Sequence, residues 1–505
     1  MKKSEVKYGA LLSYVLIFAN TFYGLIVTPF MLGQLGTSEY GVYKTIGGMV
    51  AVVSVLEMGI GATMQRYIAR FNADNKREQA ENFSAMGLIQ ALLLAVAMLI
   101  LGAVLYPGLE ETFSVFTTEE MNKAKQIFGL MILQVALHMF ENFYFGVIAG
   151  YNRFIFSNTL KLILLVLRVL LYYVFLPVFP DSVTIVCISL FLEIIVIAVE
   201  ILYLRLGLKH RVRLKKWDPV LFKDSFVYTI LLFVQSLIIQ FNGHVDSIVI
   251  GSVMGTVAVT LYSFALQMFN MYEQCATSIS GVLLPTVTKK LVEGARPKDL
   301  ESLVIKYGRA QWMFLGGALG GILCCGKEFF LLWLGKKLGP DAVDCWKLCL
   351  ILVIPVTLPL ITNTCLTILK AKNKLGVRTI TMGCSVVVNI ILTYFGTKLW
   401  GYWAAAAGTA ASTFLGSVIA MNIYYHKELE LHMLRIYGSI LRRITPCILM
   451  GMVPCLILNC FLWGSWLSFL LKVALFLLVY GGTLLCFGLS RTERKAIPFL
   501  KGRSL

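Results

Sequence analysis

The sequence predicts an all-α polytopic membrane protein of about fourteen transmembrane helices, built as two six-helix repeats followed by two C-terminal helices. Three observations carry this expectation: the excess of apolar over charged residues, a succession of apolar runs each long enough to cross a bilayer, and an uneven distribution of Lys and Arg among the connections.

Of the 505 residues, 58% are hydrophobic and 14% charged, and the mean hydropathy is +0.78. That leaves too little polar surface to coat a water-soluble globule. The apolar runs lie near 8–32, 42–64, 83–106, 125–149, 155–177, 182–205, 223–250, 257–285, 306–332, 344–370, 376–397, 401–425, 440–462 and 466–489. As helices of about 20 residues or more they span a hydrocarbon layer of about 30 Å and satisfy their own backbone hydrogen bonds. The first run is too long for the core of a signal peptide and lacks a small-residue cleavage site, so it is expected to remain as a membrane helix.

Charge orients these runs. Both termini and the connections after even-numbered runs hold most of the 45 Lys and Arg, whereas the opposite connections hold few, among them Lys123, Lys125, Lys336 and Lys337. The bias places both termini in the cytoplasm and the chain in the cell's inner membrane, and the even number of runs requires the same answer. The net charge of +18 then reflects topology and attraction to anionic membrane lipids, not nucleic acid. The basic stretch RLGLKHRVRLKKWDPVLFK holds seven basic residues from Arg205 to Lys223, with similar runs of helices on either side. It divides the chain into an N-terminal half (1–205), a basic cytoplasmic linker (206–222), a C-terminal half (223–425), and two additional helices with a basic tail (426–505).

The halves repeat one another. Leu35-Gly36-Thr37 followed by Tyr43 has a counterpart in Met254-Gly255-Thr256 followed by Tyr262. At nearly the same offset, Gly150-Tyr151-Asn152-Arg153 matches Ala371-Lys372-Asn373-Lys374. Six helices per repeat insert both halves the same way up, related by a pseudo-two-fold axis along the membrane normal.

The stretches GQLGTSEYGVY, VLEMGIGATMQRYIA and HVDSIVIGSVMGTVAVTLYSFALQM resemble the polysaccharide flippase branch of the multidrug/oligosaccharidyl-lipid/polysaccharide exporter superfamily. The resemblance implies a flippase that carries a polyprenyl-diphosphate-linked oligosaccharide from the inner to the outer leaflet. It also implies a protein that acts as a monomer beside polysaccharide assembly proteins.

Charged residues within the apolar runs are the functional candidates, because a charge at mid-bilayer costs at least about 2.5 to 3.5 kcal/mol without a partner or a wet cavity. In the fifth run, Lys161 and Arg168 lie two helical turns apart on one face; in the sixth, Glu193 and Glu200 do the same. Two readings stay open. Arg168–Glu193 and Lys161–Glu200 are structural ion pairs, or the cations face a cavity and bind the diphosphate, for which the Arg fork is suited.

The seventh run carries Gln235, Asn242 and Asp246 on one face. Asp246, within the family-like stretch, is the candidate carboxylate for coupling to H+ or Na+, the alternative being a structural cap. Asn20 in the first run and Asn389 at the repeat position of Arg168 are further candidate cavity residues. Glu57 and Glu141 have no partner legible in the sequence. Arg66, Arg70, Lys306 and Arg309 sit at helix ends, where orientation accounts for them. Gly316, Gly317, Gly320 and Gly321 read as helix-packing positions.

The twelve cysteines show no metal-ligand spacing, and Cys324, Cys325, Cys345 and Cys349 read as packing residues. No cofactor motif, nucleotide-binding loop or nucleophile constellation is present, so a transporter is expected and not an enzyme. The competing functions are ion-coupled multidrug efflux in the same superfamily and, from the enzyme class, a membrane glycosyltransferase or polysaccharide polymerase. Short external connections weigh against the enzymes.

Overall fold

The computed structural model describes residues 3–54, 58–281, 284–294, 296–372, 374, 376–461, 464–490 and 493, and all of its regular structure is helical. Ten helical segments are long and apolar enough to cross a membrane among the described residues. The chain forms two compact units, Met1–Thr260 and Leu261–Leu505.

The first unit contains α1 (Lys3–Val53), α2 (Met58–Ala73), α3 (Arg77–Leu105), the short α4 (Leu109–Thr112), α5 (Thr118–Gly150), α6 (Phe154–Phe175), α7 (Ser182–Leu202), α8 (Pro219–Met254) and the start of α9 (Thr256–Gly281). Local sequence sets several starts. Thr117 and Glu120 form a reciprocal capping box on α5. The Asp181 carboxylate accepts from the Val183 amide at the start of α7, and Asp218 caps α8 ahead of Pro219.

The two glycines of the repeated motif share one backbone conformation. Gly36 interrupts α1 at φ 78°, ψ 174°, and Gly255 separates α8 from α9 at φ 82°, ψ −171°. Only glycine enters that region without severe strain, which explains why this residue recurs at the break. The Glu120 carboxylate ties the two breaks together, accepting hydrogen bonds from the Ser38 hydroxyl at 2.5 Å and the Thr256 hydroxyl at 2.7 Å. In the second matched motif Asn152 also has positive φ, at 59°; Asn373 lies outside the described residues.

Helix α5 is the axis of this unit, packing on α1, α2, α3 and α7. Its contact with α2 is close enough that a Cβ on Gly146 would lie 2.4 Å from the Gly61 carbonyl oxygen. Around this crossing, Ile60, Met64, Phe83, Met98 and Phe143 form a fully buried core.

The basic segment 206–222 is laid against α3. Arg77 donates to the carbonyls of Leu208 and Lys209, and Asn82 accepts from the Lys215 and Lys216 amides at 2.7 and 3.0 Å while donating to the Lys216 carbonyl at 2.8 Å. His210 is 1% exposed, with its ring nitrogens 2.8 Å from the Tyr151 hydroxyl and 2.9 Å from that of Ser84. Burial pushes its imidazole down to about 4.

The second unit continues through α10 (Leu284–Val292), α11 (Pro297–Leu338), α12 (Ala342–Ile361), α13 (Asn363–Ala371), α14 (Gly376–Trp400), α15 (Tyr402–Thr413), α16 (Met421–Leu429), α17 (Met433–Leu458) and α18 (Trp466–Thr483). Helix α11 packs on both α17 and α18. Gly316 and Gly320 meet Ile448, and Gly317 meets Tyr480, as the packing reading requires; Gly321 has nothing within contact distance.

Arg309 departs from the expectation of an orientation-determined surface charge. It is buried, and its guanidinium donates to both Glu493 carboxylate oxygens at 2.8 and 2.9 Å and to the Gly488 carbonyl at 2.7 Å. The planar fork needs that carboxylate once it leaves water. Lys472 and Glu328 form a second buried pair at 2.6 Å, with Glu328 also accepting from Ser468 at 2.5 Å and from the Gly464 amide at 3.2 Å. All twelve cysteines are free thiols; Cys324 and Cys325 meet Cys455 where α11 crosses α17.

Two outcomes follow. Lys472→Met strands the Glu328 carboxylate and is expected to destabilise by about 3 to 5 kcal/mol. Lys472→Met with Glu328→Gln should recover much of that loss, as read by thermal unfolding in detergent. For His210, the unfolded side chain takes a proton near 6.5 whereas the folded one does so only near 4. Its contribution is therefore complete above 6.5 and is lost as pH falls from 6.5 toward 4. The melting temperature is expected to fall over that interval, and to fall less in His210→Gln.

Candidate functional site

The site grows from four helices of the first unit. Helix α6 turns Lys161 and Arg168 to the same side, as their two-turn spacing requires, and α1 brings Asn20 and Ser54 opposite. Helix α5 adds Gln134, His138 and Glu141, and α7 adds Glu193. Together they line a cavity of about 530 Å3, whose remaining wall is apolar and includes Met131, Leu164, Leu165 and Leu192. A polar chamber in an otherwise apolar helical unit is the expected environment for intramembrane charges.

The anionic side of the chamber is tightly organised. His138 Nδ1 lies 2.7 Å from Glu141 Oε2 and 2.6 Å from Glu193 Oε1. The three ligating atoms all fall within 4.8 Å of one another. A single ring nitrogen carries at most one hydrogen, so it serves two carboxylates at once only by sharing. This convergence is what binding a proton or a small cation requires.

The cationic side is open by comparison. Lys161 Nζ sits 4.1 Å from the centroid of the Phe145 ring. Neither Lys161 nor Arg168 forms an ion pair among the described residues, and the buried Arg168 Nε has no hydrogen-bond partner there. The alternative of Arg168–Glu193 and Lys161–Glu200 pairs is therefore not what the side chains adopt. Glu193 is taken by His138 instead, and Glu200 is 1% exposed with its Oε2 unpartnered among the described residues.

Three of the candidate cavity residues, Asn20, Lys161 and Arg168, thus meet in one cavity, together with Glu141 and Glu193. Asn20 also donates to the Leu16 carbonyl at 2.9 Å within its own helix. Asn389 belongs to the second unit. It is buried there and accepts from Thr393 at 2.9 Å and from Thr409 at 3.4 Å where α14 meets α15. Asp246 is buried on α8 and does not line the cavity; the adjoining face of α8 meets α1, with Gly251 against Thr45 and Ser247 against Gly48. The side chains of Gln235 and Asn242, and Glu57 entirely, lie outside the described residues.

His138 and Gln134 carried no weight in the sequence. The available signal was the one-turn spacing of His138 and Glu141 on an apolar helix, with Gln134 one turn before. Glu141 lacked a visible partner because half of its partnership comes from α7.

The polysaccharide biosynthesis protein family model matches residues 7–290, which contain the whole cavity. The chain belongs to this family. A Salmonella typhi protein assigned as an O-antigen transporter is 20% identical over 421 residues, covering 79% of this chain and 91% of that protein. Among solved structures, the lipid II flippase MurJ in an inward closed conformation is similar with a TM-score of 0.70 at 13% identity, over 94% of this chain and 97% of that one. An inward-facing multidrug resistance MATE family transporter of the MOP superfamily follows at 0.67 and 13% identity, over 82% and 98%. This family member therefore has the fold shared by the MurJ and MATE structures.

Proposed function

We propose that this family member is a flippase that moves a polyprenyl-diphosphate-linked oligosaccharide from the inner to the outer leaflet by alternating access. The observation that carries the proposal is the pair of cations, Lys161 and Arg168, kept in an intramembrane cavity with no anionic side chain bound to either among the described residues. Such charges are costly in hydrocarbon, and an anionic ligand is the partner that offsets the cost. A diphosphate suits them chemically, with Arg168 offering a bidentate fork and Lys161 a point charge.

The barrier in this transport is desolvation. A hydrated sugar cannot shed its water into lipid, because each unpaired polar group costs several kcal/mol. Asn20, Gln134 and Ser54 would replace part of that water while the polyprenyl tail stays in the bilayer. With the basic face of the protein in the cytoplasm, an interior-negative potential also drives the anion outward by about 2.3 kcal/mol per charge per 100 mV. Coupling to a proton or sodium gradient belongs to the same reading. His138, Glu141 and Glu193 are the groups of the cavity suited to it, and Asp246 is the alternative outside it.

Efflux of an organic cation is the second reading, favoured by the two carboxylates in the same chamber. Their engagement with His138 leaves the cations, and not the anions, as the free groups of the site.

Leaflet-resolved labelling of lipid-linked oligosaccharide in proteoliposomes decides between them. Outer-leaflet label should appear with the protein and be absent without it; label that stays unchanged, with export of an organic cation instead, establishes the second reading. Arg168→Gln and Lys161→Gln should each weaken binding of a soluble prenyl-diphosphate analogue by about ten- to a hundredfold, the loss of one charge-assisted hydrogen bond of roughly 1.5 to 3 kcal/mol. Calorimetric titration of folded protein measures it. Glu193→Gln should leave analogue binding within a few-fold and flatten the pH dependence of transport. A pH profile unchanged in Glu193→Gln but flattened in Asp246→Asn moves the coupling role to α8.

A further inference from the structure

The segment that joins α7 to α8 has two chemically different faces. From Leu208 to Arg213 its side chains alternate between covered and exposed, with Lys209 turned outward at φ 51°. Leu208, His210 and Val212 turn toward the protein, with His210 fixed between Ser84 and Tyr151. Lys209, Arg211 and Arg213 are exposed on the other side. Exposed at every second position over five residues, these three cations form a short row.

The row is not neutralised. Lys209, Arg211, Arg213 and Lys216 form no ion pair among the described residues. The nearby acids are occupied: Glu78 by Lys215, Glu81 by Arg77 and the Arg211 amide, and Asp218 by the first amides of α8. The segment is also held still, by the ladder of bonds from Arg77 and Asn82. It is therefore a positioned charge row and not a loose basic tail.

Apolar side chains frame it. Leu206 and Val220 are each 69% exposed, Leu214 49% and Trp217 45%. The segment begins where the apolar span Ser182–Gly207 ends and crosses the polar first turns of the span Arg77–Leu105. Basic residues interleaved with exposed Trp and Leu at the end of two spans match the headgroup layer of a bilayer, where aromatic rings and basic chains both lie favourably. A nucleic acid or a soluble acidic protein would match the cations but leave the apolar side chains in water.

We propose that residues 206–220 form a fixed rail that binds the headgroups of anionic phospholipids in the adjoining leaflet. The occupant is a bulk membrane lipid and not the cargo. Lys209, Arg211 and Arg213 hold successive phosphates, while Leu206, Leu214, Trp217 and Val220 rest at the acyl boundary. Because the rail is tied to α3, lipid binding fixes the depth of the first unit in the membrane. This inference is independent of which cargo the cavity takes.

Full-length protein in nanodiscs of phosphatidylglycerol and phosphatidylcholine provides the test, with lipids retained after gentle detergent release counted by native mass spectrometry. Wild-type protein should retain phosphatidylglycerol over phosphatidylcholine, and less of it as salt is raised. Each cation removed in the Lys209→Gln, Arg211→Gln, Arg213→Gln series should lower that retention roughly fivefold. The charge-conserving triple variant Lys209→Arg, Arg211→Lys, Arg213→Lys should keep it, which separates lipid binding from a folding defect. Equal phosphatidylglycerol retention by the wild type and the neutral triple variant overturns the proposal. So does a neutral variant that loses only a prenyl-diphosphate analogue, since the row would then serve the cargo.

Discussion

A polar group without a partner costs several kcal/mol in hydrocarbon, and the structure is ordered by that cost. The backbone meets it by remaining helical wherever the chain is apolar. Side chains meet it by finding one another: Lys472 lies against Glu328, Arg309 against Glu493, and Glu141 and Glu193 against His138. Against that background, Lys161 and Arg168 stand out because, among the described residues, neither forms an ion pair although both line a cavity.

The cavity is divided chemically rather than being uniformly basic. The cations come from α6, whereas the His138 cluster is shared between α5 and α7. Movement of α6 relative to α5 or α7 would therefore change the balance between the two sets of charges. Under the proposed function, an anion bound at one wall and a proton or small cation at the other would each favour the other through space. Helix α5, packed on four of its neighbours, supplies the fixed reference for that exchange.

Glycine determines where the helices bend and how closely they pass. The matched breaks at Gly36 and Gly255 place Ser38 and Thr256 within reach of one carboxylate, Glu120, so a conformational requirement of two glycines becomes a shared anchor. At the other end of the first unit the basic connection is tethered instead by Arg77, Asn82 and His210. The positive charge that orients the chain in the membrane is thus also a positioned surface.

The sequence by itself determined the membrane class, the helical fold and the shared face of Lys161 and Arg168. These rest on composition, on local backbone preference and on the helical period, none of which requires knowing what lies across the interface. Tertiary structure alone decided the partners. Glu193 pairs with His138 and not Arg168, Arg309 is sequestered with Glu493 and not merely an orienting charge, and Asn389 accepts from Thr393 and Thr409 within its own unit. Spacing along one helix fixes which face a residue occupies, but its partner depends on the rotation and depth of another helix. Those are set by the summed packing of residues such as Gly61, Gly146 and Phe143 along the helix contacts.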